Sequence, residues 1–370
     1  MTVQKQTIIA ASSLLLAGIA TVHPPVVHAS EGMDSLRVKS NQQVNNLLRQ
    51  GRKLVDAREI AKALKVYQQA AELDKKNPRI FSAIGYLEAL QGNYRQAANA
   101  YLQAVTLEPK NADFQYALGY SLGQLGDNAG AAAAYARATG LDSKNLNAYL
   151  GLGVVLQRLG DYNRAMQAYQ GAIALDPQNL EAHKFIGSTL MKQGRSREAV
   201  QAFQQAVALA PKDTSLQLNL ATAYLKQGNT AAGVAALQRI AQMEPRNPQI
   251  NLQIGKLLQE QNNLNGALEA YQRAASLQPD LVEAQAGVAD VLMKQQDFLM
   301  AIVAYRRLIE ISPQNAQAYY NLGTALKKRD RIQDAIAAFE QARDLFRRQG
   351  HKEDSQRADS ALRELKKERS

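Results

Sequence analysis

Cysteine is absent from these 370 residues, and so is tryptophan. Without cysteine there is no disulfide, no thiolate metal site, no cysteine nucleophile and no lipid on an N-terminal cysteine. Histidine is scarce: of four, His23 and His28 lie near the start, which leaves His183 and His351. No metalloprotease helix, phosphate-binding loop or nucleophile elbow occurs, so the usual enzyme signatures are missing. Acid is in deficit, with 33 Asp and Glu against 44 Lys and Arg, a formal charge of +11 and a pI near 9.6. That balance favours acidic partners or anionic surfaces. The positive charge is scattered, which argues against a nucleic-acid partner.

Long apolar runs are lacking too, apart from Ile8 to Val22, about fifteen residues and short for a membrane span. With Lys5 as its only charge, Pro24 and Pro25 behind it, and Val27-His28-Ala29 before Ser30, residues 1–29 read as a cleaved export signal. An uncleaved N-terminal anchor is the alternative. Either reading places the rest of the chain outside the cytosol, free or peripherally held at a membrane. Residues 30–43 are polar and aperiodic and read as a flexible leader.

What is present is a period of 34 residues, clearest in Leu146 to Asn179. With Leu146 as position 1, position 8 is Gly or Ala from Gly51 to Gly323, and position 20 is Ala or Gly from Ala63 to Ala335. Position 24 is aromatic at Tyr67, Tyr101, Tyr135, Tyr169, Phe203, Tyr271, Tyr305 and Phe339, with Leu237 the exception. Small residues at 8 and 20 let two helices approach, and the aromatic at 24 fills the gap toward the next repeat. Gly92, Gly126, Gly160, Gly194 and Gly228 at position 15 end the first helix of their repeats. Proline at position 32, as in Pro177 and Pro211, stops the second helix. Nine repeats fit residues 44–349 without insertion or deletion. Such an array forms one solenoid with no central catalytic pocket.

The first repeat is polar and carries Arg49, Arg52, Lys53 and Arg58, as an N-terminal cap should. The sixth substitutes Ala221, Gly233, Leu237 and Ile240, which alters its packing volumes. Residues 350–370 are highly charged, with Ala358, Leu362 and Leu365 at helical spacing, and read as a C-terminal capping helix.

These residues resemble the tetratricopeptide repeat over about four-fifths of the chain. The resemblance implies an all-α, right-handed superhelical solenoid of about nine repeats plus the capping helix. It also implies that positions 2, 5, 9, 12 and 13 of each first helix line a concave groove. On that map Tyr86, Tyr116 and Tyr120 fall together, Leu150 and Val154 continue the surface, and Lys184 and Leu218 follow. Position 13 supplies Arg158, Lys192 and Lys226, then Glu260, Lys294 and Lys328, a basic ladder that could hold an acidic segment. Rigid tyrosines in an exposed groove suit peptide binding, but partial packing of the rings on one another is equally open. The carboxylate clamp of chaperone-binding relatives is not met. Lys184 and Asn219 match it, whereas Ser188, Gln249 and Gln253 do not. His183 reads as a packing residue rather than a ligand. Glu283 and Asp290 on one face, with Asp113 and Glu181, are weak candidates for a hard metal.

The function expected is therefore that of a non-enzymatic exported scaffold that binds a peptide segment or a membrane-protein tail. An export signal, nine in-phase repeats and a basic cysteine-free chain are together similar to the cyanobacterial periplasmic processing-associated tetratricopeptide proteins of photosystem II assembly. That resemblance implies a periplasmic location, binding to the C-terminal region of a reaction-centre precursor, help with its maturation, and manganese supply. An adaptor for secretion or envelope polymer assembly is the alternative.

Overall fold

A computed structural model describes residues 31–367, so the expected export signal at 1–29 lies outside the described residues. Among the described residues there are nineteen helices and no strand, and none of the helices is long and apolar enough to cross a membrane. The chain divides into two compact units that meet between Leu209 and Ala210. The first holds five helix pairs: α1 (Glu31–Asp56) with α2 (Ile60–Leu73), α3 (Pro78–Leu90) with α4 (Tyr94–Leu107), α5 (Ala112–Leu125) with α6 (Asn128–Leu141), α7 (Leu146–Arg158) with α8 (Tyr162–Leu175), and α9 (Leu180–Lys192) with α10 (Ser196–Leu209). The second holds α11 (Thr214–Gln227) with α12 (Thr230–Met243), α13 (Pro248–Glu260) with α14 (Leu264–Leu277), α15 (Val282–Lys294) with α16 (Phe298–Ile311), and α17 (Ala316–Lys327) with α18 (Ile332–Arg348), followed by α19 (Lys352–Lys367). The division falls just before the sixth repeat, whose Ala221 and Leu237 replace the glycine–aromatic pair of its neighbours.

Each pair starts and stops for local reasons. Asparagine or aspartate at position 34 caps the first helix of the next repeat, except at Leu281, which makes no side-chain cap before α15. The Asn111 side chain accepts from the Asp113 and Phe114 amides, Asn179 from Ala182 and Asp213 from Leu216. At position 15 the backbone turns left-handed in all nine repeats. Gly92, Gly126, Gly160, Gly194 and Gly228 have φ between 75° and 91°, and Arg58, Asn262, Gln296 and Asp330 share the conformation at 55° to 62°. Only glycine takes that turn without a Cβ penalty, so four repeats use a costlier residue there.

The core is a stack of position-24 side chains. Tyr67, Tyr101, Tyr169, Phe203, Tyr305 and Phe339 are all at most 2% exposed. Each ring lies first on position 8 of its own repeat. A Cβ on Gly51 would come 2.7 Å from the Tyr67 ring, and one on Gly119 2.9 Å from Tyr135. The ring also meets the following repeat, since a Cβ on Gly151 would lie 2.6 Å from Tyr135 and one on Gly287 2.7 Å from Tyr271. The aromatic is thus shared by three helices rather than aimed only at the next repeat, and truncating one to alanine should cost roughly 3–5 kcal/mol.

Two terminal features follow. The leader expected to be flexible is helical, because α1 begins at Glu31 and runs without a break into the first repeat. No glycine or proline lies between Met33 and Gln50. Once buried Val44 anchors α1, each upstream residue adds to an existing helix and does not nucleate a new one. At the other end α19 buries Ala358, Leu362 and Leu365, and Leu362 and Leu365 join the cluster that holds Leu326 and Phe339. Ion pairs from Lys327 to Glu364 and from Arg347 to Asp359 flank that contact.

Candidate functional site

In the first unit α3, α5, α7 and α9 carry the residues expected to line a groove. Tyr86, Tyr116 and Tyr120 do come together, but as core: they are 9%, 6% and 5% exposed. The expected open tyrosine surface is therefore corrected. The small residues around them, Ala83, Ala117 and Gly119, leave room for the rings to sink between helices. Tyr120 meets Tyr94 edge-on at 6.2 Å, and Tyr116 meets Tyr135 at 5.8 Å. Burial, and then the neighbouring Tyr94, push the Tyr120 phenol up to about 12, and burial also raises Tyr86 and Tyr116. These groups support the surface more than they form it.

What reaches solvent beside them is half-buried Leu150 and Val154, half-buried Lys184, and exposed Lys192. Lys184 pairs with Glu181 at 3.3 Å and sits over the Phe185 ring at 5.8 Å. Phe185 in turn stacks on Tyr169 at 5.4 Å. Exposed Arg158 is partly engaged. Its Nη1 donates to the Gly123 carbonyl oxygen at 3.2 Å, near the end of α5, where that oxygen also accepts from the Gly126 amide at 3.4 Å.

In the second unit Leu218 is half-buried and Lys226 exposed. Lys226 and Glu260, both at position 13, stand 3.9 Å apart, so side chains at this position do stack from repeat to repeat. The pair also neutralises the ladder at that point. Two rungs of the expected basic ladder are thus partly engaged: exposed Arg158 bonds to a backbone carbonyl, and Glu260, the acidic rung, offsets Lys226.

The hard-metal candidates do not converge. Asp290 accepts from the Tyr305 hydroxyl at 2.7 Å and from Asn321 Nδ2 at 3.4 Å, while Glu181 holds Lys184. Asp113 is half-buried, and burial followed by the charge of Asp142 raises its carboxyl above the usual range. Among the described residues no group of three or more His, Asp and Glu side chains is placed to hold an ion. These residues do not fit manganese as a bound or delivered ion.

His183 has a structural role that the sequence signals more clearly than expected. Its Nε2 lies 2.9 Å from the Pro177 carbonyl oxygen, six residues upstream. Gln115 and Gln285 donate in the same way to Pro109 and Pro279, at 3.4 and 3.1 Å, and Gln217 to Pro211. Where position 32 lacks proline, at Lys75 and Ser143, position 4 of the next repeat is the aromatic Phe81 or Tyr149. In four of the six proline turns an amide or imidazole at position 4 thus bonds to the proline carbonyl; after Pro245 the residue is Asn251, which donates to the Asn247 carbonyl instead, and after Pro313 it is Tyr319. The pairing of two columns six residues apart would have revealed this bond.

Comparison with known proteins places this geometry. No curated protein matches the chain. A solved tetratricopeptide repeat protein from Parabacteroides merdae is 17% identical with a TM-score of 0.50, covering 68% of this chain and 99% of that one. YrrB, described as a TPR protein with an unusual peptide-binding site, is 23% identical with a TM-score of 0.42 over 51% of this chain and 97% of its own. Yeast Tom70 is 14% identical with a TM-score of 0.42 over 89% and 97%. At these identities the likeness is one of fold. Family models named TPR repeat and Tetratricopeptide repeat match residues 289–330 and 316–346. The model for the C-terminal domain of cilia and flagella-associated protein 70, itself a tetratricopeptide-repeat domain, matches residues 39–292, more than half of the chain. The protein thus belongs to the tetratricopeptide-repeat family that this domain represents.

Proposed function

We propose that this protein is an exported, non-enzymatic scaffold whose first-helix surface in residues 78–192 binds an extended segment of another polypeptide. The observation that carries the proposal is the surface around Leu150 and Val154: half-buried aliphatic side chains, backed by an immobile tyrosine core, beside the cations of Lys184 and Lys192. A rigid apolar strip loses little entropy on binding, and the flanking lysines select a segment that carries acid. The segment is the tail of an exported membrane protein, and the C-terminal region of a photosystem II reaction-centre precursor is its finer form. The N-terminal apolar run, the nine in-phase repeats and the lack of cysteine support that form. Manganese supply is no part of it, because Asp290 and Glu181 are engaged by other side chains and no group of three carboxylate or imidazole ligands converges among the described residues.

Photo-crosslinking in the native host tests the proposal. A crosslinker at Val154 or Lys192 should capture one membrane-protein tail, and a crosslinker at exposed Gln167 on α8 should not. Capture from Gln167 alone would overturn the assignment of the surface. Capture of envelope polymer machinery from Val154 would transfer the protein to the adaptor role.

A further inference from the structure

Helix α16, FLMAIVAYRRLIEI, is apolar nearly all round, and a helix of that kind is expected to be covered on every side. One side is covered: Ala301, Ile302, Ala304, Tyr305 and Leu308 are buried. On the other, Leu299, Met300 and Val303 are 59%, 48% and 56% exposed. The repeat supplies its own reference for these positions, 18, 19 and 22. They are Arg197, Glu198 and Gln201 in the fifth repeat and Ala231, Ala232 and Ala235 in the sixth, and no other repeat places a large apolar residue at any of them.

The patch has a basic rim. Exposed Arg306 follows it on α16. By register exposed Arg329 corresponds to Gln295 and Leu299 to Asn265; Gln295 Nε2 and Asn265 Oδ1 lie 2.8 Å apart one repeat earlier, which puts Arg329 at the edge of the patch. Exposed Lys328 adjoins Arg329. Of the nearby acids, Glu310 pairs with Arg307 at 2.9 Å, Asp334 with Arg331 at 2.5 Å and Glu269 with Arg273 at 2.7 Å, while exposed Asp330 adjoins Arg329. Asp297 caps α16 by accepting from the Met300 amide. Arg306, Lys328 and Arg329 form no ion pair among the described residues.

We propose that Leu299, Met300 and Val303 insert into the surface of an anionic lipid bilayer while Arg306, Lys328 and Arg329 engage its phosphates. Two features select lipid over a second copy of the chain. The exposed apolar area is on the order of 300 Å², well under the roughly 800 Å² per partner of a stable protein interface. Cations predominate at the rim, where Arg306, Lys328 and Arg329 outnumber the one acid without a partner among the described residues, Asp330, so two copies meeting here would mainly oppose like charges, whereas lipid headgroups complement them. The patch lies on a second helix, apart from the first-helix surface assigned to the polypeptide.

The absence of cysteine allows a local test on the full chain. An environment-sensitive dye is attached to Val303→Cys, and in a control to Gln167→Cys. Vesicles are of phosphatidylcholine alone or with phosphatidylglycerol. The dye at 303 should shift to the blue with anionic vesicles and not with neutral ones, and the dye at 167 should not respond. Adding Leu299→Gln and Met300→Gln should abolish the shift. Arg306→Gln with Arg329→Gln should weaken it roughly 30-fold, about fivefold per arginine. Circular dichroism verifies that each variant keeps its helices, and the arginine pair remains informative if the apolar pair does not fold. No shift at 303, an equal shift with neutral vesicles, or a shift that rises with protein concentration without vesicles would each overturn the proposal, the last in favour of self-association.

Discussion

Replacing Gln296 with glycine should make the second unit more stable, although glycine is ordinarily a poor choice beside a helix. Gln296 holds φ at 62°, where a residue with a Cβ costs about 1–2 kcal/mol. Its side chain is exposed, and its amide bonds to the Met293 carbonyl, a contact that glycine keeps. Glycine loses more freedom on folding, which returns about 0.4–1 kcal/mol, so the net gain should be about 1 kcal/mol. For a unit of this size that corresponds to roughly 2–4 °C in Tm. Asp330→Gly should gain only a few tenths of a kcal/mol, because aspartate tolerates this conformation through local hydrogen bonds. Gln296→Ala, which keeps the Cβ, should gain nothing. The assay is urea unfolding followed by circular dichroism, with the midpoint compared at constant slope, since an array of repeats need not unfold in one step. A Gln296→Gly variant no more stable than Gln296→Ala would refute the claim that the turn is strained.

Other outcomes follow from the same structure. Asp113 has a raised carboxyl pKa in the folded state, so the fold holds that proton more tightly than the unfolded chain does. Its contribution is favourable in acid and is lost as pH rises through the raised value. Asp113→Asn should therefore raise Tm at pH 7, with the difference closing near pH 3. The Tyr169 hydroxyl is buried with no hydrogen-bond partner among the described residues, whereas that of Tyr305 donates to Asp290. Phe203 and Phe339 already fill the same register without a hydroxyl. Tyr169→Phe should gain about 1 kcal/mol and Tyr305→Phe should lose about as much, read as opposite shifts in denaturation midpoint. Gln285→Leu, which leaves the exposed Pro279 carbonyl to water, should cost at most about 0.5 kcal/mol in the same measurement.

The fold was legible because each column of the repeat answers to one physical demand. Gly119 and Gly153 had to be small for the rings of Tyr135 and Tyr169, and Gly160 had to turn left-handed. Position 15 at Arg58 and Gln296 could be read only from register, since their residue types do not announce a left-handed turn, whereas Asn262 and Asp330 are types that tolerate it. The candidate site was less legible. Family positions assign Tyr86, Tyr116 and Tyr120 to an open groove, but exposure depends on what surrounds a ring, and small neighbours let these sink. Arg158 was expected to act by its charge, yet its guanidinium also donates to a helix-end carbonyl one repeat away. Side-chain choices of this kind depend on contacts across repeats, which a single 34-residue window does not contain. Two column pairings, proline with position 4 in four of six turns and asparagine or aspartate with the first helix of the next repeat everywhere but after Leu281, were written in the sequence and needed only a comparison between columns.

The central claim is that the first-helix surface, and not the second-helix surface, takes the polypeptide. The most direct measurement is the affinity of the crosslinked tail, as a synthetic peptide, for the protein and for two sets of variants by calorimetry. Val154→Asp and Lys192→Glu, which place acid in an apolar, cationic strip, should each weaken binding about tenfold or more. Gln167→Glu on α8 should leave it unchanged. Equal affinity across all of these, or a loss confined to Gln167→Glu, would contradict the account.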